Sequence, residues 1–399
     1  MISLVVMNLN AQTVKILFDA TKAETAGNAD WIIDADVNNI YWNSSGSYSL
    51  TGSESNAQQI PMPAQSGITS GTTESFWTGG ISAWGVDMVK KGYVVETLPC
   101  NGQITYGNTG NAQDLSNYKV FIVVEPNIWF TAAEKTAMMN FVQNGGGLFM
   151  VADHAGADRN NDGADPPQIW NDFMDTTTVH PFGMHFNYVS VSQTTSNVAS
   201  LPGDPLLHGI MGDVTQVMWS AGNTMTISTT NNPSVKGVVY KTGSSTTGSA
   251  NVMVAYATYG SGRVVGFGDS SPCDDGSGDS GDVLYDGWIT DASGNHQKLI
   301  VNATIWLAGN PTTSINDDVS TKLLVNQLTF SDKTEFVVSS SETLENAAFC
   351  VYNIVGNMIY KTSDVNDVIL MNSQFCPGMY IYKVITNGAI LKTGMFFIP

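Results

Sequence analysis

The stretch that most constrains the fold is an apolar run between three glycines and an acidic loop, with the sequence FVQNGGGLFMVADHAGADRNNDGAD at residues 141–165. Glycine accepts the left-handed backbone that follows a helix, so Gly145–Gly147 predict a helix end. The run Leu148–Ala152 is typical of a parallel strand that is covered on both faces. Asp153 and His154 follow it directly. Because ligands bind beyond the carboxyl ends of strands in open α/β sheets, we expect chemistry here.

Apolar runs of strand length alternate with helical patterns along the first three quarters of the chain. The predicted strands are 14–18, 93–98, 120–124, 148–152, 252–259 and 263–267, and the predicted helices are 77–91, 131–142 and 297–307. The helix from residue 131 opens with a capping box, Thr131 to Glu134. This alternation predicts an α/β domain over residues 14–309, with a doubly wound, mainly parallel sheet.

Acidic residues follow four of these predicted strands. Parallel strands would bring Asp19, Glu125, Asp153 and Asp269 to one edge of the sheet. We predict a catalytic group there, made of Asp153, His154, Asp269 and Ser270, with Asp19 and Glu125 as binding residues at its rim. His154 would be the general base and the aspartates would be acid, base or metal ligands, while Ser270 would be a nucleophile only within reach of His154. The alternative is that each aspartate forms a turn.

Charge and hydropathy exclude several classes of partner. The 399 residues have a formal net charge of −19, which argues against nucleic acid and against anionic membrane surfaces. No apolar run approaches the roughly 18 residues of a membrane helix, so no membrane span is expected. The apolar residues Ile2–Leu9 and the small residue Ala11 predict a signal peptide over 1–11, although no basic residue precedes them. We therefore expect a secreted protein.

Two acidic segments suggest a cation. The run from Asp158 through Asn160 and Asp162 to Gly163 matches the first half of an EF-hand calcium loop, but Ile169 replaces the glutamate at position twelve. A full EF-hand is excluded, and a partial Ca²⁺ site is predicted with the ligands Asp158, Asn160, Asp162 and Asp165. Residues 269–291 contain seven aspartates and no Lys or Arg, so either a cation or wide solvent exposure must offset their repulsion. Asp34, Asp36 and Asn38 form either a third cation ligand set or a polar turn.

Three segments of the first domain stand out: the glycine run and strand of 141–154, the turn DPLLHGI at 204–210 and the hairpin YGSGRVV at 259–265. Together they resemble the ThuA-like (trehalose-utilisation) proteins of the class I glutamine-amidotransferase-like superfamily. The resemblance implies a flavodoxin-like α/β sandwich. It does not imply glutaminase activity, because no cysteine follows the strand where an amidotransferase has its nucleophile.

The last part of the chain has a different pattern. After a Pro- and Thr-containing linker at 310–322, short apolar strands at 323–399 predict an Ig-like β-sandwich. The segments 351–357 and 376–384 resemble turns of the C-terminal sorting domain of type IX secretion substrates. That resemblance implies type IX secretion machinery as a partner and the outer surface of a diderm bacterium as a location. The alternative is an Ig-like accessory module. Cys350 and Cys376 could pair.

Two classes of function remain open from the sequence. The first is a secreted or cell-surface hydrolase that acts on an extracellular glycan or other polymer and needs no organic cofactor. The second is a non-catalytic, calcium-stabilised module that binds carbohydrate through aromatic side chains. The candidate aromatics are Trp31, Tyr41, Trp42, Trp77, Trp129 and Trp170.

Overall fold

The protein forms two compact units, Met1–Pro311 and Thr312–Pro399. The computed structural model describes residues 14–33, 40–42, 48–50, 58–278, 282–283, 285–291, 293–309, 323–329, 332–340, 346–353, 357–365, 367–386 and 389–398. The predicted signal peptide, the predicted linker and the group Asp34, Asp36 and Asn38 lie outside these residues.

The first unit mixes strands and helices, and the elements that the sequence patterns predict occur in the predicted order. Up to the fourth central strand, the elements are β1 (Lys15–Asp19), β2 (Ile40–Trp42), β3 (Tyr48–Leu50), α1 (Ser82–Lys90), β4 (Val94–Leu98), β5 (Val120–Val124), α2 (Ala132–Gln143) and β6 (Gly147–Val151). The remainder are α3 (Pro166–Thr177), β7 (Met184–Phe186), β8 (Val191–Thr195), β9 (His208–Gly209), β10 (Gly212–Asp213), β11 (Val217–Gly222), β12 (Met225–Ile227), β13 (Lys236–Tyr240), β14 (Val252–Tyr259), β15 (Gly262–Phe267), α4 (Gly287–Thr290) and α5 (Asn295–Ala308).

The central sheet has a parallel part and an antiparallel part. Its strand order is β4-β1-β5-β6-β15-β14-β12-β7, and β13 also pairs with β14. The first five strands of this order are parallel, whereas β14, β12, β7 and β13 add antiparallel pairs. The α/β class with a mostly parallel central sheet is therefore confirmed. Numbered along the chain, the parallel strands lie in the order 2-1-3-4-5.

Strand register places the carboxyl ends of three neighbouring strands side by side. Val124 of β5 pairs with Val151 of β6, which pairs with Phe267 of β15. All residues of β5 and β6 are buried, as expected for strands covered on both faces. Helix α5 approaches β6 so closely that a Cβ on Gly147 would lie 2.5 Å from the carbonyl oxygen of Leu307. Because of the register of these strands, the residues that follow β5, β6 and β15 share one edge of the sheet.

Several boundaries and elements differ from the sequence prediction. The helix predicted from Trp77 begins only at Ser82, because Gly79 has a positive φ of 104° and Gly80 packs against the carbonyl of Asp30. The capping box of α2 is present, with both Thr131–Glu134 hydrogen bonds formed. Helix α3 and strands β7–β13 were not predicted, since their polar loops and short runs give weak periodicity.

The second unit consists of two antiparallel sheets around one apolar core. Its strands are β16 (Leu323–Thr329), β17 (Lys333–Ser340), β18 (Ala347–Asn353), β19 (Met358–Thr362), β20 (Asp367–Met371), β21 (Gly378–Thr386) and β22 (Ala389–Ile398). The sheets have the orders β16-β17-β20 and β19-β18-β21-β22. Phe336, Phe349 and Phe396 lie in the shared core. Cys350 and Cys376 have free thiols, so the pairing considered from the sequence is not formed. In the described part of the chain, no helix has the length and apolarity to cross a bilayer.

Candidate functional site

Three acidic side chains follow β5, β6 and β15 at the shared carboxyl edge of the sheet. Glu125, Asp153 and Asp269 are all buried, with 0%, 2% and 0% of their surface exposed. Burial raises the pKa of Glu125 and of Asp269, and the Asp153 charge raises both further. The predicted convergence of these carboxyl groups is therefore observed, and it concentrates negative charge in a dry environment.

Arg159 supplies the counter-charge, and the sequence analysis did not single it out. Its Nε donates to Glu125 Oε1 at 2.5 Å, and its Nη2 donates to Asp153 Oδ2 at 3.0 Å. Its Nη1 donates to Asn28 Oδ1 at 3.1 Å. The guanidinium thus bridges the ends of β5 and β6 and the loop that follows β1. Its side chain is only 15% exposed, so this is not a solvent-screened surface pair.

Glu125 has both an unusual backbone and an unusual carboxyl group. Its φ is +51°, a left-handed conformation that is uncommon for a residue other than glycine. Burial raises its pKa from the ordinary 4.5 to about 7, and Arg159 opposes that shift. Non-glycine residues in strained conformations cluster at functional sites, so Glu125 is a stronger candidate than its predicted place at the rim implied.

His154 and Asp153 form a pair at the end of β6. His154 Nδ1 lies 3.2 Å from Asp153 Oδ2, and the His154 side chain is 27% exposed. His154 Nδ1 has no hydrogen-bond partner among the described residues, so the contact is a close charge pair when His154 is protonated. The Asp153 carboxylate raises the pKa of His154, and burial of the ring opposes this. Among the predicted catalytic residues, His154 is the one that solvent reaches.

Ser270 and Asp269 have partners other than His154. Ser270 Oγ donates to Glu125 Oε2 at 2.6 Å, and Ser270 is buried. Asp269 accepts hydrogen bonds from the backbone N–H groups of Ser220 and Ser271. The hydroxyl is therefore held by a carboxyl group beneath the surface, and the contact with His154 that a nucleophilic Ser270 requires is not among the hydrogen bonds of the described residues.

Asp19 belongs to a neighbouring group at the end of β1. It accepts hydrogen bonds from the backbone and hydroxyl of Thr21, and burial raises its pKa to about 6. Burial likewise raises the pKa of Glu24, and the Asp19 charge adds to that shift. The contact to the main site is indirect, because the carbonyl of Lys22 accepts the N–H of Asn127, two residues after Glu125.

The side chains predicted to bind calcium form hydrogen bonds, most of them within their own loop. Asp158 accepts the N–H groups of Asp162 and Gly163, and Asp162 accepts that of Ala164. Asp165 caps α3 and also accepts the Gly156 N–H. Asn160 Nδ2 donates to the Asn127 carbonyl. Within the described residues, no three His, Cys, Asp or Glu side chains group to hold a metal ion. These contacts favour a structural turn, and the calcium site stays a prediction.

The aromatic residues that were predicted to bind carbohydrate differ in their burial. Trp31, Trp77 and Trp170 are buried in the core, whereas Trp129, four residues after Glu125, is 44% exposed. The side chains of Tyr41 and Trp42 lie outside the described part. Tyr188 is 59% exposed, and the adjacent Val189 carbonyl accepts the Ala155 N–H. One exposed ring therefore lies in the loop that follows β5, and the other is adjacent to Val189, whose carbonyl accepts the N–H of the residue after His154.

Two further residues at this edge escaped the sequence analysis. Asn223 Nδ2 donates to the Asp153 carbonyl, and Asn223 is fully buried. Asp153 Oδ1 and Asn223 Oδ1 are buried acceptors without a hydrogen-bond partner among the described residues. Tyr285 is near enough to Arg159, Asp153 and Glu125 for their charges to affect its pKa, which burial raises. No sequence pattern marks either residue, since both lie in irregular loops.

No model of a known protein family matches this chain. No curated protein matches it either. Among solved structures, the mmIFT52 N-terminal domain is similar at a TM-score of 0.43 and 14% identity, covering 74% of this chain and 97% of that domain. A cytoplasmic protein from Salmonella typhimurium gives 0.40 and 13%, covering 74% and 99%. A ThuA-like protein from Parabacteroides merdae gives 0.30 and 13%, covering 55% and 80%.

These values leave the family of the chain open. A protein described as ThuA-like is therefore a weak structural neighbour of this chain. The resemblance of the second unit to a type IX sorting domain stays a prediction.

Proposed function

We propose that the protein is a secreted hydrolase whose site is the carboxyl edge formed by β5, β6 and β15. In this proposal, His154 is the general base, and the nearby Asp153 carboxylate raises its pKa. Water is the nucleophile, because Ser270 is buried and its hydroxyl donates to Glu125. The observation on which the proposal rests is the His154–Asp153 pair, in which a part-exposed imidazole lies 3.2 Å from a buried carboxylate.

The surrounding groups support a water-activating role. Asp153 Oδ1 and Asn223 Oδ1 are buried acceptors without a partner among the described residues, and a donor such as water would satisfy them. Arg159 holds Glu125 and Asp153 in place through two charged hydrogen bonds. Glu125, with a pKa of about 7, can exchange a proton near neutral pH.

The fold and export assignments belong to the same proposal. We infer a flavodoxin-like arrangement from the 2-1-3-4-5 order of the parallel strands, with a ThuA-like relationship as the family hypothesis. We infer type IX export to the surface of a diderm bacterium from the turns of the second unit. The substrate in this proposal is an extracellular glycan or other polymer, which the exposed Trp129 and Tyr188 support.

The test is hydrolysis of a panel of polysaccharides and esters by the full chain. His154→Gln should lower the rate about 10²–10⁴-fold, the usual value of general acid–base catalysis, without lowering stability. His180→Asn is the matched control, because His180 also pairs with an aspartate, Asp175, at 3.0 Å. If both variants keep the wild-type rate on every substrate that the protein cleaves, His154 is not the base.

The second candidate is a non-catalytic carbohydrate-binding module. The exposed ring of Trp129 favours it, because aromatic faces contribute large contact area at little entropic cost. Such a module would retain polysaccharide in affinity electrophoresis, lose that retention in Trp129→Ala, and release no product.

A further inference from the structure

His296 is a buried imidazole at the start of α5, and both of its ring nitrogens have partners. It is 1% exposed. Its Nε2 accepts the backbone N–H of Met218 at 2.9 Å, and its Nδ1 lies 2.9 Å from the carbonyl oxygen of Gly287. The N–H can only donate and the carbonyl can only accept, so the ring has its proton on Nδ1 and is neutral. A second proton, on Nε2, would face a donor.

The first partner belongs to a strand that holds the carboxyl edge. Met218 lies in β11, and two residues further along this strand the N–H of Ser220 donates to Asp269 Oδ2 at 2.7 Å. The carbonyl oxygen of Ser220 accepts the hydroxyl of Ser271 at 3.1 Å. His296 thus fixes the strand to which the residues after β15 are bonded.

The second partner belongs to a helix that contacts the same segment. Gly287 begins α4, and a Cβ on it would overlap the carbonyl oxygen of Ser271. The next residue, Trp288, donates its backbone N–H to the carbonyl of Asp274 at 2.7 Å. The segment 269–274 therefore contacts both β11 and α4, and the ring of His296 connects these two elements to α5.

Protonation of His296 would break this connection. An imidazolium has an N–H on both ring nitrogens, so Nε2 could no longer accept from Met218. The ring lies at the N-terminal end of a 14-residue helix, where the helix dipole disfavours a cation. Burial lowers the pKa of His296 from its ordinary 6.5, while the Gly287 carbonyl and the Asp291 charge oppose that shift. The folded protein therefore binds this proton more weakly than the unfolded chain does.

Asp291 is the anion beside the ring. Its Oδ2 lies 4.0 Å from His296 Nδ1 and accepts the backbone N–H of His296. The other charged or titratable groups on α5 and on the elements packed against it are Lys298 of α5, Asp87 and Lys90 of α1, Asp286 before α4, His208 and Asp213 of β9 and β10, Arg263 of β15 and Cys273 of the turn 271–273. Of all these groups, Asp291 is the one whose charge acts on the pKa of His296.

We propose that His296 is an acid-sensitive link of the carboxyl edge. When Nε2 takes a proton from solvent, β11 and α4 separate from α5, and the segment 269–274 opens to water. The link stabilises the closed edge above pH 6.5, and this contribution is lost as pH falls below that value, because the open state binds the proton more tightly. The inference does not rest on the hydrolase proposal, since it concerns when the edge opens and not which reaction occurs there.

Cys273 supplies a reporter of this opening, because its thiol is 0% exposed within the segment 269–274. Cys350, which is 2% exposed in the second unit, is the internal reference. Labelling of the full chain with 4,4′-dithiodipyridine between pH 7.5 and 5.0, read by peptide mass spectrometry, gives the ratio of the two labelling rates. Both thiols react as thiolates, so the ratio removes their common pH dependence. We expect the ratio to rise below pH 6.5 by up to about tenfold per pH unit, the limit for one proton. A constant ratio would overturn the proposal.

His296→Gln tests the origin of the rise. Glutamine offers an amide oxygen and an amide N–H but takes up no proton in this range, so the ratio should stay constant. His208→Gln is the matched control, because His208 is an exposed histidine of β9, which also packs against α5, and its ratio should rise as in the wild type. An equal rise in the wild type and in His296→Gln would overturn the role of His296.

Low urea separates opening of the edge from unfolding of the whole unit. A local opening exposes little surface, so the labelling rate of Cys273 at pH 5.5 should change little with urea below the unfolding transition. A dependence as steep as that of global unfolding would overturn the local opening.

Imidazole ¹⁵N NMR of the wild type keeps the test decisive if His296→Gln does not fold. The His296 signal, assigned through its contact with the Met218 amide, should show at pH 6.0 a neutral ring with the proton on Nδ1. A proton on Nε2, or a charged ring in the closed state, would overturn the proposal.

Discussion

Replacing Arg159 with methionine should destabilise the first unit strongly, and more so at alkaline pH. The substitution keeps an apolar stem but removes the cation between Glu125 and Asp153, whose side chains are 0% and 3% exposed. Breaking a buried ion pair by removing one partner costs about 3–5 kcal/mol, because the remaining charge is left buried without compensation. We expect a loss of that size at pH 8.

The pH dependence follows from the raised pKa of Glu125. A carboxyl group whose pKa is higher in the folded state favours folding while it is protonated, and this contribution is lost as pH rises from 4.5 through about 7. Arg159 lowers this pKa, so Arg159→Met raises it further. At pH 8, above the wild-type pKa of about 7, the loss is therefore larger than at pH 5.5, where Glu125 is protonated with and without Arg159.

Urea unfolding followed by tryptophan fluorescence measures the effect on the first unit alone, because all nine tryptophans lie between residues 31 and 306. Arg263, the other arginine of the sequence, gives the control. It donates to the carbonyl of Trp306 and lies over that ring, so Arg263→Met removes no carboxylate partner and should cost the same at both pH values. A loss below 1 kcal/mol for Arg159→Met, or an equal loss at pH 5.5 and pH 8, would refute the reasoning.

Three further outcomes are expected. The activity of the proposed hydrolase should rise with pH as His154 loses its proton. Asp153→Asn should move this rise to lower pH, because Asp153 raises the His154 pKa. A rise at the same pH in the variant would assign the titration to another group. Thr131→Ala should cost about 1 kcal/mol in the fluorescence-detected unfolding by removing the cap of α2, and a loss below 0.3 kcal/mol would contradict that role. If the loop at 158–165 binds Ca²⁺, melting temperatures in Ca²⁺ and in EDTA should differ, whereas identical values would leave only the turn.

The central strands could be predicted because their pattern is local. Continuous apolar runs ending in a polar residue identify β5, β6 and β15, and the parallel arrangement then places Glu125, Asp153 and Asp269 at one edge. The N-terminal cap of α2 could likewise be predicted, since Thr131 and Glu134 lie three residues apart. Each of these inferences needs only neighbouring residues and one general rule of sheet geometry.

Arg159 shows why the rest of the site could not be predicted. In the sequence it lies inside an acidic run that resembles a calcium loop, so the acidic neighbours, and not the arginine, were predicted as site residues, namely as calcium ligands. In the structure those neighbours form turns, and the arginine reaches residues 34 positions before it and 131 positions before it. The same limit applies to Asn223, which contacts Asp153 across 70 residues. Such pairings depend on tertiary packing, and no local pattern encodes them.

The position of Arg159 also determines how a ligand can reach the carboxyl groups. In open α/β sheets the ligand crevice opens where the strand order reverses, which here is between β1 and β5. The chain closes that crevice itself: Asn127 bonds to Lys22 across it at 2.7 Å, and Gly27 packs so closely that a Cβ there would lie 2.8 Å from the Arg159 carbonyl oxygen. Arg159 also occupies one carboxyl oxygen of Glu125, because its Nε donates to Oε1. Among the described residues of this group, His154 has a part-exposed ring and the carboxyl groups are buried, so a substrate of the proposed hydrolase would meet the histidine before the carboxyl groups.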